Sequence, residues 1–431
     1  MFGFFDSQDT KMRANARNWL ELADKVWHYR RDQLSDADAR ELRARIEGLR
    51  QQVAAREEAA KLKLGIEALE PVLQRLGGKV YPKTSLVENV EFFLIAAIVI
   101  IGIRTYFVQP FKIPTNSMWP SYYGMTPEVY KNPAEHPGPV MQALRFVTLG
   151  ARNHTLTAPA SGPVEAEFFY DDVRLAYEVK PGHTWLVIPT DVKEYTFYVG
   201  GSPVTVQVPM DFDFDWAVRD AWFGGSTETL TNHLRQIYRQ NSAAMGVKVF
   251  NQAQGQTQRI LRAPLGFTAK QGTPFFSFDL RTGDQLFVDR MSYHFVRPSV
   301  GDGFVFNTRN LVGRIEGPPS EQYYIKRLVG VPGDTLEIKN FTLYRNGRPI
   351  EGAAAFGKNA RREGDYVGYR NLRSLSVGQT MTVPPDSFLA LGDNSANSQD
   401  GRYWGFVPAK DAVGRPLFIY FPFTRRWGPA R

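Results

Sequence analysis

The spacing of apolar positions divides the chain into three textures. Over roughly the first 85 residues, apolar side chains recur at helical intervals, with Trp19, Leu22, Val26 and Tyr29 on one face and Leu42, Ile46, Leu49 and Val53 at alternating steps of four and three. This predicts a helical hairpin. Ser35 with Asp38 three residues on suits a helix N-cap with an acidic partner, and Gly77-Gly78 followed by Pro82 closes the helical region. The apolar seam is short, so packing within the chain is preferred to a self-associating coiled coil.

From Phe92 to Ile103 the apolar residues run without a break, and the stretch reaches from Val90 to Val108 if Glu91, Arg104 and Thr105 sit near its ends. A helix of that length spans ~28 Å, against a hydrocarbon core of ~30 Å. A buried core helix is the alternative, but no polar stripe relieves the run, which favours a single membrane span. Arg104 can snorkel, and Tyr106 and Phe107 suit an interface. The run starts too far from Met1 to be a cleavable signal peptide. Lys79 and Lys83 before it and Arg104 and Lys112 after it leave its orientation open.

After residue 120 short β-branched and aromatic runs alternate with Gly, Pro, Asn and Asp: HTWLVIP, YTFYVGG, PVTVQVP, DQLFVDR and FIYFPF. This is a mostly β region, interrupted by one predicted helical stretch from about Asp215 to Asn241. At 431 residues the chain exceeds a single ordinary domain. Its 43% hydrophobic and 22% charged residues exclude wholesale disorder, and a mean hydropathy of −0.33 excludes a polytopic membrane protein. The net charge of +8 is spread too evenly to announce nucleic acid. With no cysteine and no clustered pair among six histidines, neither a thiol nucleophile nor a metal site is expected, and no cofactor is called for.

The candidate chemistry lies just past the apolar run, in Gln109-Pro110-Phe111-Lys112-Ile113-Pro114-Thr115-Asn116-Ser117-Met118. An extended chain covers at most ~3.6 Å per residue, so Ser117 acts within roughly 35 Å of a bilayer surface. A serine hydroxyl needs a base, and with no histidine in a catalytic motif the candidate is a lysine held neutral by apolar burial. Lys326, in Tyr323-Tyr324-Ile325-Lys326-Arg327-Leu328-Val329-Gly330, has that setting: in a strand Tyr324, Lys326 and Leu328 share one face, and Ile325 and Arg327 the other. Taken singly, either residue would more readily be read as structural.

Together these segments resemble the bacterial type I signal peptidase (leader peptidase) family. Four boxes occur in the family's order: QPFKIPTNSM, then TGDQLFVDRMSYHFVRPSVGD (282–302), YIKRLVGVPGD (324–334) and LGDNSANSQDGRYWGFVP (391–408). The resemblance implies a membrane-anchored serine endopeptidase with Ser117 as nucleophile and Lys326 as general base. It implies an oxyanion hole from the Ser117 N–H and the Thr115 hydroxyl, and a Ser398 hydroxyl that orients the lysine amine. Asp393, Asp400 and Arg402 match a supporting charged cluster, which reads equally as a salt bridge that only stabilises the fold. Phe111, Ile113, Pro114, Tyr324 and Ile325 match positions lining shallow pockets for small side chains, with the peptide bound as an added strand.

Two local departures stand out, Asn116 in place of the commoner Gly and Gly401 in place of a hydroxyl residue. The larger one is the length between the first two boxes. The resulting fold class is a mainly β catalytic region with a signal-peptidase-like β fold, an N-terminal helical region, one transmembrane helix and a large β-rich insertion. The expected partition is 1–86 helical and cytoplasmic, 87–108 transmembrane, 109–122 with 276–431 catalytic, and 123–275 inserted. The insertion either frames the cleft or is an accessory domain without a catalytic role; the second reading is preferred. Implied partners are signal peptides of exported preproteins, the lipid bilayer and the export machinery, and not nucleic acid. The implied location is the cytoplasmic membrane, with the catalytic domain on its outer face.

Overall fold

Three helices, α1 (Gln8–Arg30), α2 (Asp36–Ala54) and α3 (Ala59–Leu76), pack on one another where the apolar periodicity anticipates a hairpin. The third forms because Leu62, Ile66, Leu69, Leu73 and Leu76 recur at helical spacing and are all buried. Ser35 caps α2 as expected, accepting the Asp38 N–H at 3.2 Å and donating its hydroxyl to the Asp38 carboxylate at 2.7 Å. α4 (Ser85–Tyr106) covers the apolar run; it is long and apolar enough to cross a membrane, and none of its residues is buried.

This computed structural model describes residues 8–170, 174–184, 188–240, 245–251, 255–311 and 322–430. The chain divides into two compact units, Met1–Ile101 and Gly102–Arg431. The middle of the expected HTWLVIP strand and Asn241 at the end of the expected helix lie outside the described residues.

In the larger unit, one antiparallel sheet runs in the order Val108–Lys112, Gln285–Asp289, Ala412–Phe421, Gly303–Asn307, Tyr323–Gly330, Ser387–Leu391 and Val407–Pro408, with Gly428–Pro429 beside Ala412–Phe421. Val108–Lys112 is therefore an edge strand. A smaller sheet of Arg348–Pro349, Thr342–Arg345, Thr335–Lys339 and Thr380–Thr382 packs through Leu336, Ile338 and Leu343 onto Val329 and Leu389.

The insertion has its own sheet, in which Gly162–Phe169 pairs with both Gln256–Ala269 and Ile188–Val199, so that the strands curl back on themselves. Its core is aromatic: Phe197, Phe212, Phe214, Phe276 and Phe278 are buried together. The strand Pro274–Arg281 contributes to this core and pairs with Thr126–Val129, Thr126 standing opposite Arg281. Just outside that stem, the Asp284 N–H donates to Tyr123 O and the Tyr123 N–H to Asp284 Oδ2, both at 2.8 Å. The insertion thus leaves and rejoins the rest of the larger unit at one point.

Two helical features differ from the sequence reading. The Asp215–Asn241 stretch is two helices, α6 (Phe214–Trp222) and α7 (Thr227–Gln240), broken where Gly224 and Gly225 both adopt positive φ. A further helix, α5 (Pro139–Leu149), went unread although Pro139 opens it at the first turn and Gly150 ends it in the left-handed region.

Candidate active site

The edge strand Val108–Lys112 ends where the Ile113 N–H donates to Asp284 O, and Pro114 forbids continued pairing. Ser117 stands on the turn that follows, which Asn116 holds in place. The Asn116 side chain donates to Met125 O at 2.7 Å and accepts the Gly124 N–H at 3.0 Å. Asn394 grips the same turn from the other side, its N–H donating to Ser117 O at 3.1 Å and its side chain to Asn116 O at 3.0 Å. The departure from Gly at 116 is thus a buried amide with both ends satisfied. Gly124 packs so tightly that a Cβ there would stand 2.3 Å from the Thr115 carbonyl carbon.

Lys326 projects from Tyr323–Gly330, where Lys326 pairs in register with Phe304, and only 4% of it is exposed. Its Nζ lies 2.5 Å from Ser117 Oγ and 5.6 Å from the centre of the Tyr324 ring. Burial pushes the Lys326 ammonium down to about 8; Asp400 and Asp393 pull it upward and Arg402 opposes them. The Ser117 N–H and the Thr115 hydroxyl make no hydrogen bond among the described residues, so both are free to donate to an incoming oxygen.

The expected charged cluster resolves into two separate buried ion pairs. Arg402 Nε and Nη2 donate to the two Asp400 oxygens at 2.8 and 2.7 Å, and Arg402 also holds Ser395 Oγ and Ser395 O. Asp400 additionally accepts the Gly392 N–H. Asp393 instead pairs with Arg327, a residue the motif reading left without a role: Nε and Nη2 reach the carboxylate at 2.9 and 2.6 Å, and Nη1 donates to Gly301 O. Strand alternation put Arg327 opposite Lys326, but its partner lies 66 residues away in sequence. The Ser398 hydroxyl is buried without a hydrogen-bond partner among the described residues, so the expected orienting bond to Lys326 is not made. Gly401 sits where a Cβ would stand 2.9 Å from the Ala390 carbonyl oxygen and 2.6 Å from Leu389 Cδ1, so a side chain there would press on fixed backbone.

A groove of about 690 Å³ runs past the dyad and is lined by Ser117, Lys326, Thr115, Phe111, Ile113, Pro114, Tyr324 and Ile325. Asp393, Asp400, Arg402 and Ser398 stand behind this surface. The insertion forms another wall of the same groove, through Arg174, Lys193 and Met210–Asp213. Asp211 there draws Lys112 upward in pKa, against the dominant lowering by burial and the push of Arg152. The insertion thus frames the cleft, the reading of it that was not preferred. Nothing in its sequence could have revealed this, because the approach is set by tertiary packing. Among the described residues no group of His, Asp or Glu could hold a metal ion.

Residues 276–421 match the signal peptidase, peptidase S26 family. The probable signal peptidase I-1 of Synechocystis sp. is 35% identical over 149 residues, covering 35% of this chain and 67% of that protein. The signal peptidase I of Bacillus licheniformis is 32% identical over 139 residues, 30% of this chain and 72% of its own length. This chain belongs to the signal peptidase I family. Coverage of the signal peptidase I of Leptolyngbya laminosa, 33% identical, is slightly lower at 64% of its length. A solved signal peptidase I from Enterococcus faecalis V583 is 27% identical over 28% of this chain and 97% of its own, with a TM-score of 0.20, which says nothing of the fold as a whole. Signal peptidase I enzymes are serine endopeptidases that remove signal peptides from preproteins. The segment that matches the family holds Lys326 and both ion pairs, while Ser117 and the insertion's wall lie before it.

Two outcomes follow from this geometry. Gly124→Ala should displace the Thr115–Ser117 turn and lower kcat by about 10²-fold, the order expected for an ångström-scale misplacement, while circular dichroism stays native. Arg327→Met leaves the Asp393 carboxylate buried without its cation and should cost about 3–5 kcal/mol in denaturant unfolding, with Arg327→Met/Asp393→Leu recovering most of the loss.

Proposed function

We propose that this chain is a membrane-anchored signal peptidase in which Ser117 and Lys326 form the catalytic dyad, cutting exported preproteins after small residues. The observation that carries the reading is Lys326 Nζ, buried and lowered to about 8, within hydrogen-bonding distance of Ser117 Oγ. The neutral amine accepts the Ser117 proton as Oγ bonds to the scissile carbonyl carbon. The negative charge that develops on the carbonyl oxygen is met by the Ser117 N–H and the Thr115 hydroxyl. The C–N bond then breaks, the Lys326 ammonium gives its proton to the departing amine, and an ester to Ser117 remains. A water that gives its proton to the again neutral Lys326 attacks the ester, releasing the carboxylate and restoring the serine.

Phe111, Ile113, Pro114, Tyr324 and Ile325 form the pockets for small side chains, and the unpaired side of Val108–Lys112 offers main-chain groups to an extended peptide. Ser398, Asp393, Asp400 and Arg402 position the loop behind the dyad. α4 anchors the chain, with the N-terminal helices in the cytoplasm and the catalytic unit on the outer face of the membrane.

In detergent, the intact chain should cut a preprotein with an Ala-x-Ala junction after the final Ala, as read by mass, and Ser117→Ala and Lys326→Ala should each lose at least about 10³-fold in kcat. Equal cutting by all three would remove the dyad from the chemistry. Because only the neutral amine can act as base, kcat/KM should fall about tenfold per pH unit below an apparent pKa of about 8 and level off above it. Lys326→Arg, whose guanidinium stays charged, should be inactive throughout, and a flat profile between pH 6 and 9 in the intact enzyme would count against the lysine base.

A further inference from the structure

α5 presents its apolar side outward and its polar side to the protein, the reverse of an ordinary surface helix. Its one charged residue, Arg145, turns inward, Nε donating to Asp279 Oδ2 at 2.6 Å and Nη2 to Glu128 Oε2 at 2.7 Å. Gln142 donates to Pro137 O and the Thr148 hydroxyl to Leu144 O, so the helix's polar side chains are satisfied within the chain. What faces out is apolar: Val140, Met141, Leu144, Phe146 and Val147 are exposed by 86, 50, 53, 44 and 66%, with Val140, Met141, Leu144 and Val147 along one stripe. Single exposed apolar residues need no explanation; a helix face made of them does.

The stripe continues beyond the helix. The Phe423 N–H donates to Thr148 O at 2.9 Å, which brings the Phe423–Trp427 turn against the end of α5. Phe423 and Trp427 are 58 and 52% exposed. At the margin stand Arg152, whose guanidinium lies 6.0 Å from the centre of the Phe146 ring, and the exposed Arg425; neither has a carboxylate partner among the described residues. An uncharged apolar face, an exposed tryptophan and free arginines at the rim are the composition of a helix lying in a membrane interface.

The occupant follows from the tether. Only Phe107 separates the end of α4 from the strand Val108–Lys112, so if α4 spans a bilayer the catalytic unit cannot leave its surface. We propose that α5 lies in the bilayer interface as a second membrane contact, with Val140, Met141, Leu144 and Val147 in the acyl boundary and Arg152 and Arg425 at anionic headgroups. A single tether leaves the unit free to turn about its attachment. A second contact restricts that turning and presents the groove to the bilayer in one orientation, raising the effective concentration of a membrane-held substrate at the groove. The helix lies outside residues 276–421, in the insertion, so this contact belongs to a part of the chain that the family match does not cover. It rests on the reading of α4 as a span.

The absence of cysteine lets single cysteines report one site each in the full chain. Leu144→Cys, Ile98→Cys and Val377→Cys, each carrying an environment-sensitive fluorophore, would be reconstituted in vesicles of phosphatidylcholine and phosphatidylglycerol containing spin-labelled lipid. Ile98 lies within α4, and Val377 is 84% exposed on a turn of the catalytic unit. Lipid should quench the probes at 98 and 144, the latter most strongly from a shallow label, while the probe at 377 answers only to aqueous iodide. If 98 is quenched and 144 behaves as 377 does, the α5 contact is overturned with the anchor intact, leaving a protein as occupant of the stripe. If 98 is itself open to iodide, the span fails and the α5 contact with it. A second variant, Leu144→Asp/Val147→Asp, should cleave a vesicle-embedded preprotein about tenfold more slowly while cutting a soluble peptide in detergent at the normal rate. Equal rates on the embedded preprotein would also overturn the contact.

Discussion

A lysine buried beside a serine remains a base only if no carboxylate claims its proton, and much of the catalytic unit is arranged around that condition. Desolvation lowers Lys326, but two carboxylates, Asp393 and Asp400, lie near enough to raise it again. Each is taken up by its own arginine. Arg327 closes on Asp393 and Arg402 on Asp400, both through two guanidinium nitrogens, and Arg402 also pushes the lysine down. Desolvation therefore wins. These pairs are costly to bury and are weak sources of stability in themselves. Here they hold the loop from Gly392 to Arg402 behind Ser117 and Lys326, and Arg402 opposes the pull of the two carboxylates on the lysine.

How far the chain could be read in advance depended on whether a signal was local. Ser117 and Lys326 are 209 residues apart, and no spacing argument joins them; taken singly each reads as structural, and it was the order of the four boxes, resembling a known family, that joined them. The Ser35 cap was legible for the same reason, since its partner is three residues on. Arg327 was placed correctly on the face opposite Lys326, yet its partner could not be named, because which carboxylate a buried arginine meets is decided by sheet order. Of the charged group drawn from Asp393, Asp400 and Arg402, Asp400 and Arg402 pair with each other while Asp393 pairs with Arg327.

The helices show the other limit. Periodicity found α1 and α2, and the chain from Ala59 to Leu76, a third helix, was taken into the same hairpin. α5 carried its start and stop signals plainly in Pro139 and Gly150 and was lost in a region otherwise read as β. Its apolar side also runs contrary to the usual rule that exposed faces are polar.

The insertion's place in the site follows from where it is rooted. Its first residues, Gly124 and Met125, are the partners that hold the Asn116 side chain, and Gly124 lies against the backbone of Thr115. Its return strand ends at Arg281, and three residues later Asp284 ties Tyr123 through two hydrogen bonds and also receives the Arg426 guanidinium. A closed stem of this kind lets a large domain be added without spreading the catalytic sheet. It also means that the Ser117 turn and the insertion share one set of hydrogen bonds. The part of the chain furthest from the family's pattern is thus joined directly to the residue on which the proposed chemistry turns.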